Sequence, residues 1–362
     1  MGFSCGLVGL PNAGKSTIFN ALSNAGARVE PYPFSTVEAN VGSVAVPDER
    51  LDRLARLFPD KAKIPTHLEV VDIAGLVERA SEGEGMGNAF LAQIRAVDAV
   101  FHVVRCFDDG DVAHVAGTVS PQRDIGVVET ELLLKDLETL SRVAKRLQQE
   151  TKGTDRSAPA RAAAWNSLVE HVSRGGPVRT ASVPAVIEAL VREASPLTAK
   201  PYLFVANLGD QGENALSDSV VVTARERGVP VVFVRGRLEA EVAETASTAE
   251  ERMQFLAEFG VPDTSLARLV RAGYELLRLV TFFTVEGPEV RAWTVPQGTL
   301  APAAGARIHT DFADRFVLAE VMDLDALVVA GTEKRLRDEG RIRRAGRDYA
   351  VRDGDVIHFI CS

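Results

Sequence analysis

The 362-residue chain has only three cysteines, Cys5, Cys106 and Cys361, an odd number with no C-x-x-C spacing. That argues against a disulfide framework and against a zinc site, and leaves three small apolar side chains as the expectation. No uncharged apolar run approaches the roughly 18 residues needed to span a bilayer, so no membrane partner is expected. The amino terminus, Met1-Gly-Phe-Ser-Cys, has no basic patch followed by an apolar stretch and a small-residue cleavage site. A cytoplasmic location is therefore expected. Positive charge is also short: 41 basic against 50 acidic side chains give a net charge of −9. The overall field does not attract nucleic acid, and any such contact needs a local patch.

An apolar share of 46% and a charged share of 25% suit a soluble globular chain, and the length suits two or three domains. Short β-branched runs at Phe3 to Val8, Val41 to Val46, His67 to Val71, Ala99 to Val104, Tyr202 to Ala206 and Val229 to Val234 alternate with Gly-rich turns and helical stretches. This predicts an α/β fold with a doubly wound, mostly parallel sheet. Between the fourth and fifth runs, Leu133, Leu137, Leu140, Ala144 and Leu147 step by four and three, and Trp165, Leu168 and Val172 repeat the step after a polar break at Thr151 to Pro159. An inserted antiparallel helical hairpin is expected. Past a helical stretch at Ser265 to Leu279 the texture becomes strand-like in a final compact unit. The expected boundaries are 1–126 with 198–280 for the first domain, 127–197 for the insertion and 281–362 for the last unit.

Gly9-Leu-Pro-Asn-Ala-Gly14-Lys15-Ser16 matches G-x-x-x-x-G-K-[ST] after an apolar strand and before a helical run, the context that gives this motif its meaning. The glycines let consecutive amides, including those of Asn12, Ala13, Gly14 and Thr17, converge on phosphates at a helix amino terminus. Lys15 is expected at the β and γ phosphates and Ser16 on Mg²⁺. Asp72 and Gly75, in D-x-x-G after another apolar strand, are expected at the metal and the γ phosphate. Thr36, in Tyr32-Pro-Phe-Ser-Thr36, is expected to close over the same ion. Asn207-Leu208-Gly209-Asp210 stands where GTP-binding proteins carry N-K-x-D. Leu208 keeps apolar stacking but loses the ammonium, and Asp210 is the guanine-reading residue type, so the base stays open between ATP and GTP.

These residues together resemble the Obg-like ATPase (YchF) family of the P-loop GTPase superclass. The resemblance rests on GLPNAGKST at 9–17, YPFSTVEANVG at 32–42, DIAGLV followed by GEGMGNAFLAQIR at 83–95, HVVRCF at 102–107 and ETELLLKDLETL at 129–140. RAWTVPQGTLAPAAGARIHTDF at 291–312 and DGDVIHF at 353–359 extend it over almost the whole chain. It implies an ATP-preferring hydrolase whose last unit is a β-grasp TGS domain. The family normally carries N-x-x-E at the base-reading motif, and Asp210 departs from that. The motif expected near Arg235-Gly-Arg237 also lacks the usual small polar residue at its first position.

Leu76 occupies the place of the water-orienting Gln of Ras-like enzymes. The resemblance points instead to His114 as the catalytic residue, a neutral imidazole accepting a hydrogen bond from water, with Lys15 on the phosphates. Related P-loop enzymes with Asn at position 12 bind K⁺ beside the phosphates, so K⁺ is a second cofactor expectation after Mg²⁺. Lys334, Arg335, Arg337, Arg341, Arg343, Arg344, Arg347 and Arg352 against Asp338, Glu339 and Asp348 give the stretch 334–352 a local charge of +5. With the resemblance of TGS domains to RNA- and ribosome-meeting modules, this implies ribosomes or ribosomal RNA as partner. Few aromatics interleave the run, so stacking on bases is not expected to carry affinity. The reading is a monomeric ATPase switch that modulates translation or a stress response. A GTPase of the same architecture, or a nucleotide-sensing adaptor with incidental hydrolysis, are its alternatives.

Overall fold

A computed structural model describes residues 2–24, 28–31, 40–73, 92–246, 248–261 and 264–362. The chain divides into two compact units, Met1–Val44 with Glu69–Leu269, and Ala45–Leu68 with Val270–Ser362.

Among the described residues, the first unit is built on β1 (Phe3–Val8), β2 (Arg28–Pro31), β3 (Asn40–Ala45), a fifth strand in chain order (His67–Asp72), and three later ones, at Ala99–Cys106, Tyr202–Leu208 and Val231–Val234. With β4 (Ala62–Ile64) assigned to the other sheet, these last four are β5, β6, β7 and β8, and the sheet order is β2-β3-β5-β1-β6-β7-β8. Pairing is parallel from β1 to β6, β6 to β7 and β7 to β8, and antiparallel between β2 and β3 at the edge. β6 and β7 are buried at every residue, as near-continuous apolar runs must be when both faces of a parallel sheet are covered. The expected doubly wound sheet is thus present, and β1, β6, β7 and β8 fall on the sequence runs within a few residues at each end.

Helices α1 (Lys15–Asn24), α3 (Pro121–Glu150), α4 (Ala158–Ser173), α5 (Ala185–Ala194), α6 (Ala215–Arg227), α7 (Gly236–Thr245), α8 (Ala249–Glu258) and the start of α9 (Ser265–Leu276) belong to this unit, and α2 (Glu49–Leu57) with most of α9 to the other. At 30 residues α3 is about 45 Å long, started by Pro121 in its first turn. Leu140 and Leu147 pack with Trp165, Leu168 and Val172 of α4, and the Trp165 indole donates to the Leu140 carbonyl at 2.9 Å. The hairpin expected from the four-three spacing is therefore observed, and it continues into α5. At its base the fully buried carboxylate of Asp136 accepts from the amides of Leu197 and Thr198 at 2.7 and 2.8 Å and from the Thr198 hydroxyl at 2.6 Å. Burial pushes the Asp136 pKa up, and these three bonds oppose the shift.

The second unit carries a sheet of order β12-β11-β13-β9-β10-β4, with β9 (Leu279–Thr284), β10 (Glu289–Pro296), β11 (Phe316–Asp323), β12 (Arg343–Ala345) and β13 (Asp355–Cys361). Its pairing is mixed: β9 lies parallel to β13 and antiparallel to β10. The division differs from the expected boundaries, because residues 45–68 group with this unit and not with the first. β4 adds to β10 in parallel, with Ala62 opposite Glu289 and Ile64 opposite Arg291. Helix α2, capped by Asp48, buries Leu51 and Leu54 among Phe283, Val290, Leu324 and Leu327. Each such burial contributes roughly 1.5–3 kcal/mol, enough to hold the excursion in place. It closes with a hydrogen bond from the Val46 amide to the Thr66 carbonyl at 2.9 Å.

Candidate active site

The loop after β1 is shaped by two close approaches. A Cβ at Gly9 would lie 2.4 Å from the Val103 carbonyl oxygen, so the loop can leave the sheet there only as glycine. Gly14 has φ +98°, and a Cβ on it would meet the Asn207 side-chain nitrogen at 2.0 Å. Both positions explain in space what the motif requires in sequence. Helix α1 then starts from Lys15, with the Ile18 amide bonded to the Gly14 carbonyl at 3.0 Å. Lys15 is buried, and its ammonium donates to the carbonyls of Gly9 and Leu10 at 3.2 and 3.0 Å.

Ser16 and Asp72 meet: the Ser16 hydroxyl donates to a carboxylate oxygen of Asp72 at 2.9 Å. Two hard oxygen donors side by side at a helix amino terminus fit a divalent cation of the Mg²⁺ type. Thr36 and Gly75 lie outside the described residues.

Asn207 is 3% exposed and acts as a bracket. Its amide nitrogen donates to the Ala13 carbonyl at 2.9 Å, and its oxygen accepts from the Gly236 amide at 3.3 Å. The phosphate loop and the amino terminus of α7 are thus tied through one side chain at the end of β7. Leu208 is placed differently from the stacking expectation, since it is buried in the apolar core with Cys106 and Val220. Asp210 is exposed beyond the strand end. The Arg237 guanidinium is held above its ordinary pKa mainly by its hydrogen bond to Glu241, with Asp210 and Asp109 adding negative charge.

His114 sits in a loop braced from three sides. Asn12, at φ +60°, donates from its side-chain nitrogen to the Ala113 carbonyl at 3.0 Å. The guanidinium of buried Arg105 donates to the carbonyls of Phe107, Asp109 and Val112 at 3.0, 3.3 and 3.0 Å. Asp124, in the first turn of α3, lies 3.0 Å from His114 Nε2. Because the Ala116 amide donates to His114 Nδ1 at 3.1 Å, Nδ1 is the acceptor and Nε2–H faces Asp124. The imidazole side chain is 4% exposed, with both nitrogens engaged. Arg105 and Asp124 were not singled out in the sequence. A charged residue near the end of the apolar run Ala99 to Val104 was the available signal for Arg105.

The basic stretch in the second unit is less open than its charge suggests. Glu320 pairs with Arg337 at 2.8 Å and Arg344 at 3.5 Å, and Glu339 with Arg335 at 3.0 Å and Arg341 at 3.3 Å. Arg347 donates to the Phe316 and Ala313 carbonyls, and Arg343 lies over the Tyr349 ring.

Comparison with known proteins decides the family. A model described as a 50S ribosome-binding GTPase matches residues 4–142, and the YchF-GTPase carboxy-terminal model, described as a protein of unknown function, matches 279–362. The chain is 44% identical over 362 residues to the protein named ribosome-binding ATPase YchF of Escherichia coli O157:H7, covering 99% of both. The chain belongs to the YchF family. A Bacillus subtilis relative of the same name is 41% identical over 364 residues, again across 99% of both chains. The solved structure of the Schizosaccharomyces pombe YchF GTPase superposes with a TM-score of 0.87 at 32% identity, covering 99% of this chain and 97% of that one. YchF membership agrees with the fold expected above. No helix among the described residues is long and apolar enough to cross a membrane.

Proposed function

We propose that this YchF protein is a Mg²⁺-dependent ATPase that works as a slow switch on ribosomes in the cytoplasm. The observation that carries this reading is the convergence of Lys15, Ser16 and Asp72 on one loop whose glycines admit no side chain. The relatives' name, ribosome-binding ATPase, supports the nucleotide and the partner.

Ser16 and Asp72 would hold Mg²⁺, which when bound neutralises charge on the β and γ phosphate oxygens. Lys15 exchanges its two loop carbonyls for phosphate oxygens, and the amides of Asn12, Ala13, Gly14 and Thr17 orient the chain of phosphates. Asn207 acts through the loop it braces. Asp210, at the exposed end of β7, is the candidate reader of the base edge. His114 orients the attacking water: Asp124 holds Nε2–H, so the tautomer presents Nδ1 as acceptor, and the loop gives up the Ala116 amide when the water takes its place. A K⁺ ion beside Asn12 rests on the resemblance alone, and equal turnover in Na⁺ and K⁺ would remove it.

The base is tested by competing ATP and GTP for one site on purified protein in millimolar Mg²⁺. Tighter ATP supports the reading, and tighter GTP assigns Asp210 to guanine and replaces it with the GTPase alternative.

A further inference from the structure

A cavity of about 410 Å³ opens in the first unit between the sheet and the inserted helices. Its walls are largely aliphatic: Val8 of β1, Val100 of β6, Val128, Leu132 and Leu133 of α3, and Leu197. The volume lies in the range of small-molecule sites, and an apolar wall facing a set of polar groups is their usual chemistry.

The polar groups at the cavity divide in two. The cations already have partners, and Glu226 lies exposed at the rim. The Arg179 guanidinium donates to the Thr198 carbonyl at 3.1 Å and lies over the Tyr202 ring, 4.1 Å from its centroid. Lys200 donates to the Arg95 carbonyl at 3.0 Å, and Arg227 is paired with Glu129. His102 is the exception. It is 4% exposed, tilts against Phe204, and its ring nitrogens have no hydrogen-bond partner among the described residues. Burial, with the nearby charges of Arg227 and Lys15, pushes its pKa down to about 3, so the ring is neutral and offers one donor and one acceptor. As part of the cavity lining, the ring can pair with a donor or acceptor of a ligand there.

We propose that this cavity binds an uncharged, largely carbocyclic small molecule bearing one hydroxyl or ring N–H group, which bonds to His102 while the rings pack on the aliphatic wall. Arg179, Arg227 and Lys200 outnumber the carboxylates of Glu129 and Glu226 in the lining, which disfavours a cation. An ionised anion would be desolvated against the aliphatic wall with each of those cations already engaged. His102 pairs with Val8 in the sheet, and Val8 is the residue before the phosphate loop. The Val103 carbonyl that confines Gly9 is the next residue along β6. An occupant therefore bears on the two strands that set the loop's position, and it shifts Mg-ATP affinity. That regulatory part rests on the nucleotide reading, whereas ligand binding does not, so the two can fail separately.

The test titrates the full-length protein with 2-naphthol and, in parallel, with naphthalene, by calorimetry or fluorescence. Naphthol is expected to bind one per chain and at least tenfold more tightly than naphthalene. His102→Phe is expected to abolish that preference while its thermal midpoint stays the same or rises, and Leu133→Trp, which fills the space, to weaken both ligands at least tenfold. No saturable naphthol binding up to its solubility limit, equal affinity for the two compounds, or a preference that survives His102→Phe overturns the site. Saturating naphthol is expected to change Mg-ATP affinity at least threefold, with the reciprocal change in naphthol affinity on adding Mg-ATP. Unchanged affinity overturns the coupling.

Discussion

The phosphate loop and the basic stretch at 334–352 are both visible as residue types in a short window, yet they translate into space differently. At the loop, spacing is geometry: Gly9 and Gly14 stand where a backbone oxygen and the Asn207 side chain leave no room for a Cβ. In the basic stretch the signal is a charge count, and folding spends half of the cations on Glu320 and Glu339. A motif whose spacing matches a backbone requirement survives folding intact. A net charge does not say which charges remain available, because it carries no information on pairing.

This contrast can be broken at either end. The largest effect is expected for Gly14→Ala, which combines a left-handed φ with a 2.0 Å collision and should remove measurable Mg-ATP binding in a titration. His114→Ala follows. Turnover should fall about a hundredfold, at the low end of general acid–base contributions, while nucleotide affinity holds. Unchanged turnover would return His114 to a structural role in its braced loop. Glu320→Gln comes next, since it releases Arg337 and Arg344. If pairing is what masks the basic stretch, affinity for a polyanion such as ribosomal RNA should rise several-fold, and the plot of log affinity against log salt should steepen by about one to two charges. An unchanged slope would mean that the stretch does not face the polyanion.

The smallest effect concerns pH. His102 keeps a folded pKa near 3 against an ordinary value of about 6.5. The unfolded chain therefore takes up a proton below pH 6.5 that the folded one refuses. The stabilisation present above that pH is lost as pH falls toward 3, by up to tenfold in the unfolding equilibrium per pH unit. His102→Phe should flatten the denaturation profile by that one proton, and an unchanged profile would show that His102 is protonated in the fold.

Local signals carried much of this structure. The strands of the first sheet that bracket the phosphate loop, the four-three seam of α3 and the glycine spacing each follow from a period or a steric demand within a few residues. What stayed hidden depends on distant partners. Strand β4 has three residues, two of them Ala62 and Lys63, and becomes a strand only because β10 offers it an edge. β12 lies inside the basic stretch, where charge masks its pairing with β11. Asp136 reads as one more helix carboxylate until Leu197 and Thr198, some sixty residues on, supply its donors. Leu208 occupies the right motif position, but its side chain is drawn into the core. His102 looks like any strand residue until the insertion folds over it.

The most direct measurement of the central claim is equilibrium binding of ATP to the purified full-length chain in millimolar Mg²⁺, beside the Lys15→Ala variant. The account predicts one saturable site whose affinity drops at least tenfold on that substitution and on removal of Mg²⁺. Binding that is absent in the unaltered protein, or indifferent to both Lys15 and the metal, would contradict it.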